Sequence, residues 1–327
     1  MRYSIFTSVL AAGLAIAHPA EKRQEVAQDF NAPPGGDITI LNYALTLEYL
    51  ERKFYQEGLS KFSRADFVNA GFADPFYDNL KVIASDEETH VAFLSGALAG
   101  AAVNEATYSF PYTDVKSFLG LSSVLEGVGV SAYLGAAQAI VDKGYLTAAG
   151  SILTVESRHS SYIRSVLKQV PFPKAFDTPL DFNQVFSLAA QFITGFAKGD
   201  PALPFKAFPA LTLEASQYAY TAGSSPVTFS GAYKKALASN LITEGQKVYA
   251  VFFSGLDIYY VETYQTRGNG GDLKVKAIPA GDASKSLLPP TGQVYVVLST
   301  ADGVNSKVSD ANTISGVGVL EVLPPRK

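Results

Sequence analysis

The chain has 327 residues, 47% of them hydrophobic and 17% charged, with a formal net charge of −4; this is the composition of a packed globular protein, not a disordered one. A mildly acidic chain without a basic cluster is a poor partner for nucleic acid. Cysteine is absent, which excludes disulfides and thiolate ligands and leaves oxygen and nitrogen as the only donors for a metal.

Residues 1–23 read as a secretory signal with a short processing segment. Met1-Arg2 is a basic start, Ser4 to Ala17 is mostly apolar, and Leu14-Ala15-Ile16-Ala17 supplies small residues for cleavage, the layout of a signal peptide. Lys22-Arg23 resembles the dibasic processing sites of secreted fungal proteins, which puts the mature start near Gln24. Removing Arg2, Glu21, Lys22 and Arg23 moves the formal charge from −4 to −6. The expected location is outside the cell or in the cell wall. No Asn-x-Ser/Thr sequon occurs, so N-glycosylation is not expected. No later run reaches about 18 uninterrupted apolar residues, so no membrane span is expected.

A polar, disordered lead-in is expected over 24–36, ending at Pro33-Pro34-Gly35-Gly36. With Asp37 as N-cap and Gly58 as a stop, apolar residues from Ile40 to Phe54 recur every three or four positions and predict a first helix over about 38–57. Asp74-Pro75 opens a second helix that runs to about Ala102. A long connection, about 103–120, separates it from a third, Gly/Ala/Ser-rich helix over about 121–142, ended by Lys143-Gly144. The fourth spans about 145–169 and stops before Pro171, and a fifth, amphipathic one covers about 181–197. Two hairpin-like pairs joined by one long crossover are the connectivity of a ferritin-like four-helix bundle.

After about residue 200 histidine vanishes and short runs rich in Tyr and Val take over, notably 247–253, 258–261, 273–276 and 294–298. Gly268-Asn269-Gly270-Gly271 and Pro289-Pro290-Thr291-Gly292 separate them. This pattern predicts a C-terminal β-sandwich-like domain. The expected organisation is thus a helical bundle over 37–200 and a β-rich domain over 201–327.

Two of the three histidines end a Glu-x-x-His tetrapeptide: Glu87-Glu88-Thr89-His90 and Glu156-Ser157-Arg158-His159. Spacing i,i+3 puts a carboxylate and an imidazole on one helix face. Each pair follows a Glu-x6-Tyr unit, Glu48 to Tyr55 and Glu126 to Tyr133, and seven residues is nearly two turns, so each tyrosine shares a face with its glutamate. The halves form a repeat, which places four glutamates and two histidines about a pseudo-twofold axis, enough for two metals with the middle glutamates bridging. Four carboxylates balance two divalent cations, and this donor set suits Fe or Mn. Gathered in an apolar bundle without a cation, they would repel one another and some would have to protonate.

At these residues the chain resembles a known family. Asp86-Glu87-Glu88-Thr89-His90-Val91-Ala92-Phe93-Leu94 resembles the second-helix signature of bacterioferritins and rubrerythrins. Leu41 to Glu51 with Phe54-Tyr55 resembles the secreted ferritin-like family of fungal stress-response and late-sexual-development proteins and plant desiccation-related proteins. The resemblance covers about 36–200 and says little of 201–327. It implies Glu48, Glu87, His90, Glu126, Glu156 and His159 as metal ligands, with Tyr55 and Tyr133 donating hydrogen bonds to them. Glu51, whose counterpart in the third helix is Gly129, departs from the repeat. It is read as a solvated face residue or an acid beside the ligands, with an accessory-ligand role as the lesser alternative.

The expected activity is that of a di-iron or di-manganese oxidoreductase that oxidises Fe(II) or detoxifies peroxide or O2 during stress or development, with no catalytic residue beyond the metal site. The alternative is a non-catalytic stress or wall-associated protein with a structural or vestigial metal site, whose C-terminal domain binds a wall component or protein partner. A Ser/His/Asp hydrolase is disfavoured, since no histidine follows His159 and no Gly-x-Ser-x-Gly occurs. Gly127 and Gly129 sit mid-helix, where close packing accounts for them without a nucleotide loop. Storage of iron in a cage is disfavoured because residues 201–327 would crowd a shell.

Overall fold

A computed structural model describes residues 30–214, 219–265 and 270–323. The expected signal segment, lead-in residues 24–29 and the turn residues Gly268-Asn269 lie outside these.

Among the described residues seven α-helices and eleven strands follow in order. The bundle is built from α1 (Gly36–Lys61), the short α2 (Arg64–Asn69), α3 (Phe76–Leu98), α4 (Val115–Ala137) and α5 (Lys143–Val166). α1 packs on α3 and α4 on α5, two hairpins joined by the crossover 99–114. Within the crossover β1 (Thr107–Tyr108) pairs antiparallel with β2 (Ile193–Gly195), which follows α6 (Phe182–Ala189) on the flank of α4.

Helix ends differ from the sequence reading because the caps differ. Asp37 does not cap α1; the N-cap is Gly35, and the Asp37 carboxylate accepts the N–H groups of Val141 and Asp142 at 2.9 and 2.8 Å. Gly58 does not stop α1, which continues to Lys61; a side chain at 58 would run into the Phe118 ring. Asp74 pairs with Arg64 and leaves Pro75 as an N-cap without a side-chain bond. α4 starts six residues before its expected position because Asp114 and Ser117 form a capping box, which satisfies two amides of the first turn. Lys143-Gly144 opens α5 rather than closing α4, since Asp142 accepts Gly144 N–H and Tyr145 N–H at 2.7 and 3.0 Å. α6 ends at Ala189, well short of 197, because the chain turns to form β2. α4 is long and apolar enough on average to cross a membrane, but Lys116, Glu126 and its serines interrupt the apolar run and 72% of its apolar window is buried inside the protein, as in a core helix.

The C-terminal part has a five-stranded sheet, β4 (Tyr220–Thr221), β11 (Gly318–Leu323), β10 (Gly292–Ser299), β6 (Tyr249–Ser254) and β7 (Asp257–Glu262), in that spatial order. A four-stranded sheet follows the order β3 (Thr212–Leu213), β5 (Val227–Ser230), β9 (Leu273–Val275), β8 (Tyr264–Gln265), and α7 (Ala232–Ala238) follows β5. All pairings are antiparallel except β11 with β4.

Alternation along the strands explains how the parts join. Ala250 and Phe252 of β6 and Val294, Val296 and Leu298 of β10 pack with Val227, Phe229, Leu273 and Val275 of the second sheet. Their neighbours Val251, Phe253, Tyr295 and Val297 point the other way and join the core of the bundle. Period-two side chains thus bury both faces of the central strands. Gly127 lets β10 approach α4, for a Cβ there would meet the Gln293 amide; Gln293 Nε2 donates to Val124 O at 3.1 Å and Tyr295 O–H to Gly127 O at 2.8 Å.

Arg164 of α5 makes a two-pronged ion pair with Glu321 of β11, at 2.9 and 2.8 Å, while its Nε donates to Val170 O. The Arg164 side chain is 4% exposed, so removing it leaves an unpaired carboxylate in the seam. Arg164→Ala is expected to lower unfolding free energy by about 3 kcal/mol, read by urea denaturation; a change below about 1 kcal/mol would show that the pair is not what clamps bundle to sheet.

Candidate metal centre

α1 and α4 each turn one glutamate inward, and α3 and α5 each turn a Glu-x-x-His pair inward. The bundle brings these six side chains together. Glu48, Glu87, Glu126 and Glu156 are at most 1% exposed, and His90 and His159 at most 8%. His90 Nδ1 stands 3.2 Å from Glu48 Oε2, Glu87 Oε2 and Glu156 Oε1. His159 Nδ1 stands 3.1 Å from Glu87 Oε1, 3.4 Å from Glu126 Oε2 and 4.0 Å from Glu156 Oε2. Two overlapping groups result, Glu48, Glu87, His90 and Glu156, and Glu87, Glu126, Glu156 and His159, the donor atoms of each within 4.8 Å of one another. Glu87 and Glu156 belong to both, each turning one oxygen toward His90 and the other toward His159.

The tyrosines serve the opposite half. Tyr133 O–H donates to Glu48 Oε1 at 2.5 Å, and Tyr55 O–H donates to Glu126 Oε1 and shares a hydrogen bond with Ser122 Oγ at 2.7 Å. Seven residues is about 10 Å along a helix, too far to reach the glutamate of the same helix, but α1 and α4 run antiparallel and set position i+7 of one beside i of the other. Burial and then the charge of Glu126 (for Tyr55) and Glu48 (for Tyr133) push both phenol pKa values well above the ordinary 10, so both remain donors.

Two further acids stand around this core, of which the sequence reading singles out Glu51 but not Asp86. Asp86 Oδ2 lies 3.1 Å from His159 Nε2; a carboxylate behind an imidazole fixes its tautomer and leaves the other nitrogen free to bind. Its signal was adjacency to Glu87, which helical spacing does not single out. Of the two readings of Glu51 the structure keeps the acid beside the ligands and not the solvated face residue: it is 5% exposed. Its Oε1 and Glu156 Oε2 lie 3.1 and 3.4 Å from where a Cβ would stand on Gly129, so the missing side chain at 129 is the space that Glu51 fills.

Burial sets the electrostatics. It raises Glu48 to about 7, with Glu87 adding to it, and pushes Glu51 and Glu156 well above the carboxylate range, helped by the charge of their neighbours. On Glu87 burial also opposes charge, yet His159 and His90 outweigh it and hold the group below its ordinary value. Burial disfavours the imidazolium forms too, but Glu156, Glu48 and Glu87 push His90 up to about 12, and Glu126 and Glu87 push His159 up to about 11. Five buried carboxyl groups, with Asp86 as a sixth behind His159, therefore surround two imidazoles.

Among the described residues, both oxygens of Glu156, one each of Glu48, Glu87 and Glu126, and His159 Nδ1 are buried without a hydrogen bond. Such groups are costly to leave unmatched, and their hard oxygen and borderline nitrogen donors fit divalent transition-metal cations. A surface depression of about 490 Å³ between α3 and α5 reaches both histidines, with Asp86 and Arg158 on its lining.

Residues 36–169 match the family described as Ferritin-like domain. They are a ferritin-like domain. Over 199 residues, 60% of this chain, the sequence is 27% identical to Protein rds1 of Schizosaccharomyces pombe (strain 972 / ATCC 24843). The chain spans about half the length of that curated relative. The resemblance read from the first two long helices to ferritin-like proteins of fungi therefore holds, and the fold is a ferritin-like bundle followed by a β-rich region.

Proposed function

We propose that the ferritin-like domain holds two divalent cations, iron or manganese, and that the protein carries out ferroxidase-like or peroxide-detoxifying chemistry in stress or development, outside the cell or in its wall. The observation that supports this most is the pair of overlapping donor groups, in which both oxygens of Glu156 and one each of Glu48, Glu87 and Glu126 are buried without a hydrogen bond. Glu48, Glu87, His90 and Glu156 would hold one cation, and Glu87, Glu126, Glu156 and His159 the other. When bound, two adjacent redox-active cations would supply electrons to O2 or peroxide. The chain's own residues orient and insulate: Tyr133 and Tyr55 fix the rotamers of Glu48 and Glu126, Asp86 fixes the His159 tautomer, and the apolar bundle excludes water.

Reconstitution tests the proposal. The chain is expected to take up two Fe(II) or Mn(II), and to consume O2 or peroxide when loaded with iron. Cation uptake without such turnover would favour a structural site. Because ligation needs neutral imidazole and ionised carboxylates, loading is expected to release protons, so the calorimetric enthalpy should vary with the ionisation enthalpy of the buffer; an enthalpy equal in phosphate and Tris would contradict it. Tyr133→Phe is expected to weaken cation affinity by roughly 10- to 100-fold, measured in the same titration.

A further inference from the structure

A second cavity comes up to Glu51 and Gly129, beside the six-residue cluster. Between α1, α4, α6 and the edge formed by β3 and β11 lies a cavity of about 360 Å³. Leu47, Leu50, Val128, Leu188 and Leu213 are among the side chains that line it, and among the described residues Glu51 is its one ionisable group. Gln191 and Thr212 also line it but are exposed, which leaves Glu51 as its buried polar side chain; a mostly apolar cavity of this size with one such group, at a seam between two structural units, is the usual form of a small-molecule site.

The position of Glu51 joins this cavity to the cluster. Its carboxyl lines the cavity wall and also shares the gap over Gly129 with Glu156. Among the described residues no hydrogen bond or ion pair engages it, so its oxygens are available to a visitor. A wholly apolar lining would bind any hydrophobe, whereas one buried acceptor favours a ligand that brings a donor. The depression over His90 and His159 has the opposite character, open and lined by Asp86 and Arg158, and suits a hydrated cation better than an organic molecule.

The geometry points to this cavity as the binding site of a small, neutral, apolar molecule carrying one hydroxyl, an aryl or alkyl alcohol, with Glu51 as the residue that receives the hydroxyl and holds that end toward the cluster. As a substrate site of the metal centre it rests on the proposed function; as a binding pocket it does not.

The test uses the full chain, with 2-naphthol and naphthalene as probes, followed by fluorescence. The native chain is expected to bind 2-naphthol saturably, one per chain, and about tenfold more tightly than naphthalene. Leu213→Trp and Leu188→Phe, which fill the cavity from two walls away from the ligand residues, should each weaken both probes at least tenfold while cobalt(II) uptake stays unchanged. Glu51→Leu should erase the preference for 2-naphthol, and Glu51→Gln should retain it. In the cobalt-loaded chain 2-naphthol should shift the visible cobalt bands. Absence of saturable binding, binding indifferent to both filling variants, or a preference that survives Glu51→Leu would overturn the pocket. Unshifted cobalt bands would overturn its link to the centre. A chain that takes up cobalt but not 2-naphthol loses this inference alone; one that binds 2-naphthol as described but no cobalt keeps the pocket and loses the metal centre.

Discussion

Replacing Glu87 and Glu156 together by alanine is expected to abolish cation uptake at concentrations that saturate the native chain. These two residues sit in both donor groups, so their loss leaves Glu48 with His90 on one side and Glu126 with His159 on the other, two protein donors each. Single losses at the periphery should behave differently: Glu48→Ala or Glu126→Ala removes one donor from one group, and each should leave one tight cation and weaken the second. Titration with Fe(II) or Co(II) distinguishes the patterns. Uptake of two cations by the double variant would show that the cluster is not the site. Burial and like charge disfavour the Glu156 carboxylate, so its loss should cost the fold little, whereas Glu87 is held ionised by His159 and His90 and its loss removes a counter-charge from both; circular dichroism of the double variant therefore accompanies the titration.

The second large effect is on stability. A cation that binds only the folded chain adds about 4 kcal/mol at a thousandfold excess over its dissociation constant. Two cations together should raise the melting temperature by roughly 15–30 °C at 2–4 °C per kcal/mol, measured by calorimetry with and without a chelator. The pH dependence of the metal-free chain carries a definite sign. Glu48, Glu51 and Glu156 have raised folded pKa values, Glu48 about 7, so the folded state binds more protons than the unfolded state once pH exceeds the ordinary carboxylate value, and stability falls as pH rises from there. His90 and His159, raised to about 12 and 11, contribute stability that is fully present below their ordinary value near 6.5 and lost as pH rises toward those figures. Glu87, held low, has the opposite effect: its contribution is present above the ordinary carboxylate value and is lost as pH falls below it. The metal-free chain should therefore lose stability between about pH 5 and 8, while the increment from added cation grows over the same window as protons leave the ligands. A metal-free stability that rises through that window would contradict these shifts.

Much of the centre was legible because helices repeat at a fixed period. Glu87 with His90 and Glu156 with His159 lie one turn apart, and scarcity made the two histidines conspicuous. The Glu-x6-Tyr units were visible, but the partner of each tyrosine was not: helical spacing gives a face and not a direction across the bundle, and only the antiparallel packing of α1 on α4 sends Tyr133 to Glu48 and Tyr55 to Glu126. Glu51 was left between a solvated face and a place beside the ligands because a lone acid off the repeat is usually solvated, and its burial depends on a glycine 78 positions away in sequence that leaves room for it. Asp86 was missed because it contacts a histidine of another helix. In the β-rich part the strongest apolar runs gave β6, β7, β9 and β10, while β3, β4 and β8, two residues each, are too short to carry a period. Helix limits shifted where caps act at a distance, as when Asp37 binds the start of α5 instead of its own helix.

Anomalous scattering from crystals loaded with Mn(II) tests the central claim most directly. Two peaks about 3.5–4 Å apart are expected inside the bundle, one beside Glu48 and His90, the other beside Glu126 and His159, with Glu87 and Glu156 touching both. A single peak, or none, in loaded crystals whose six side chains still converge would contradict it.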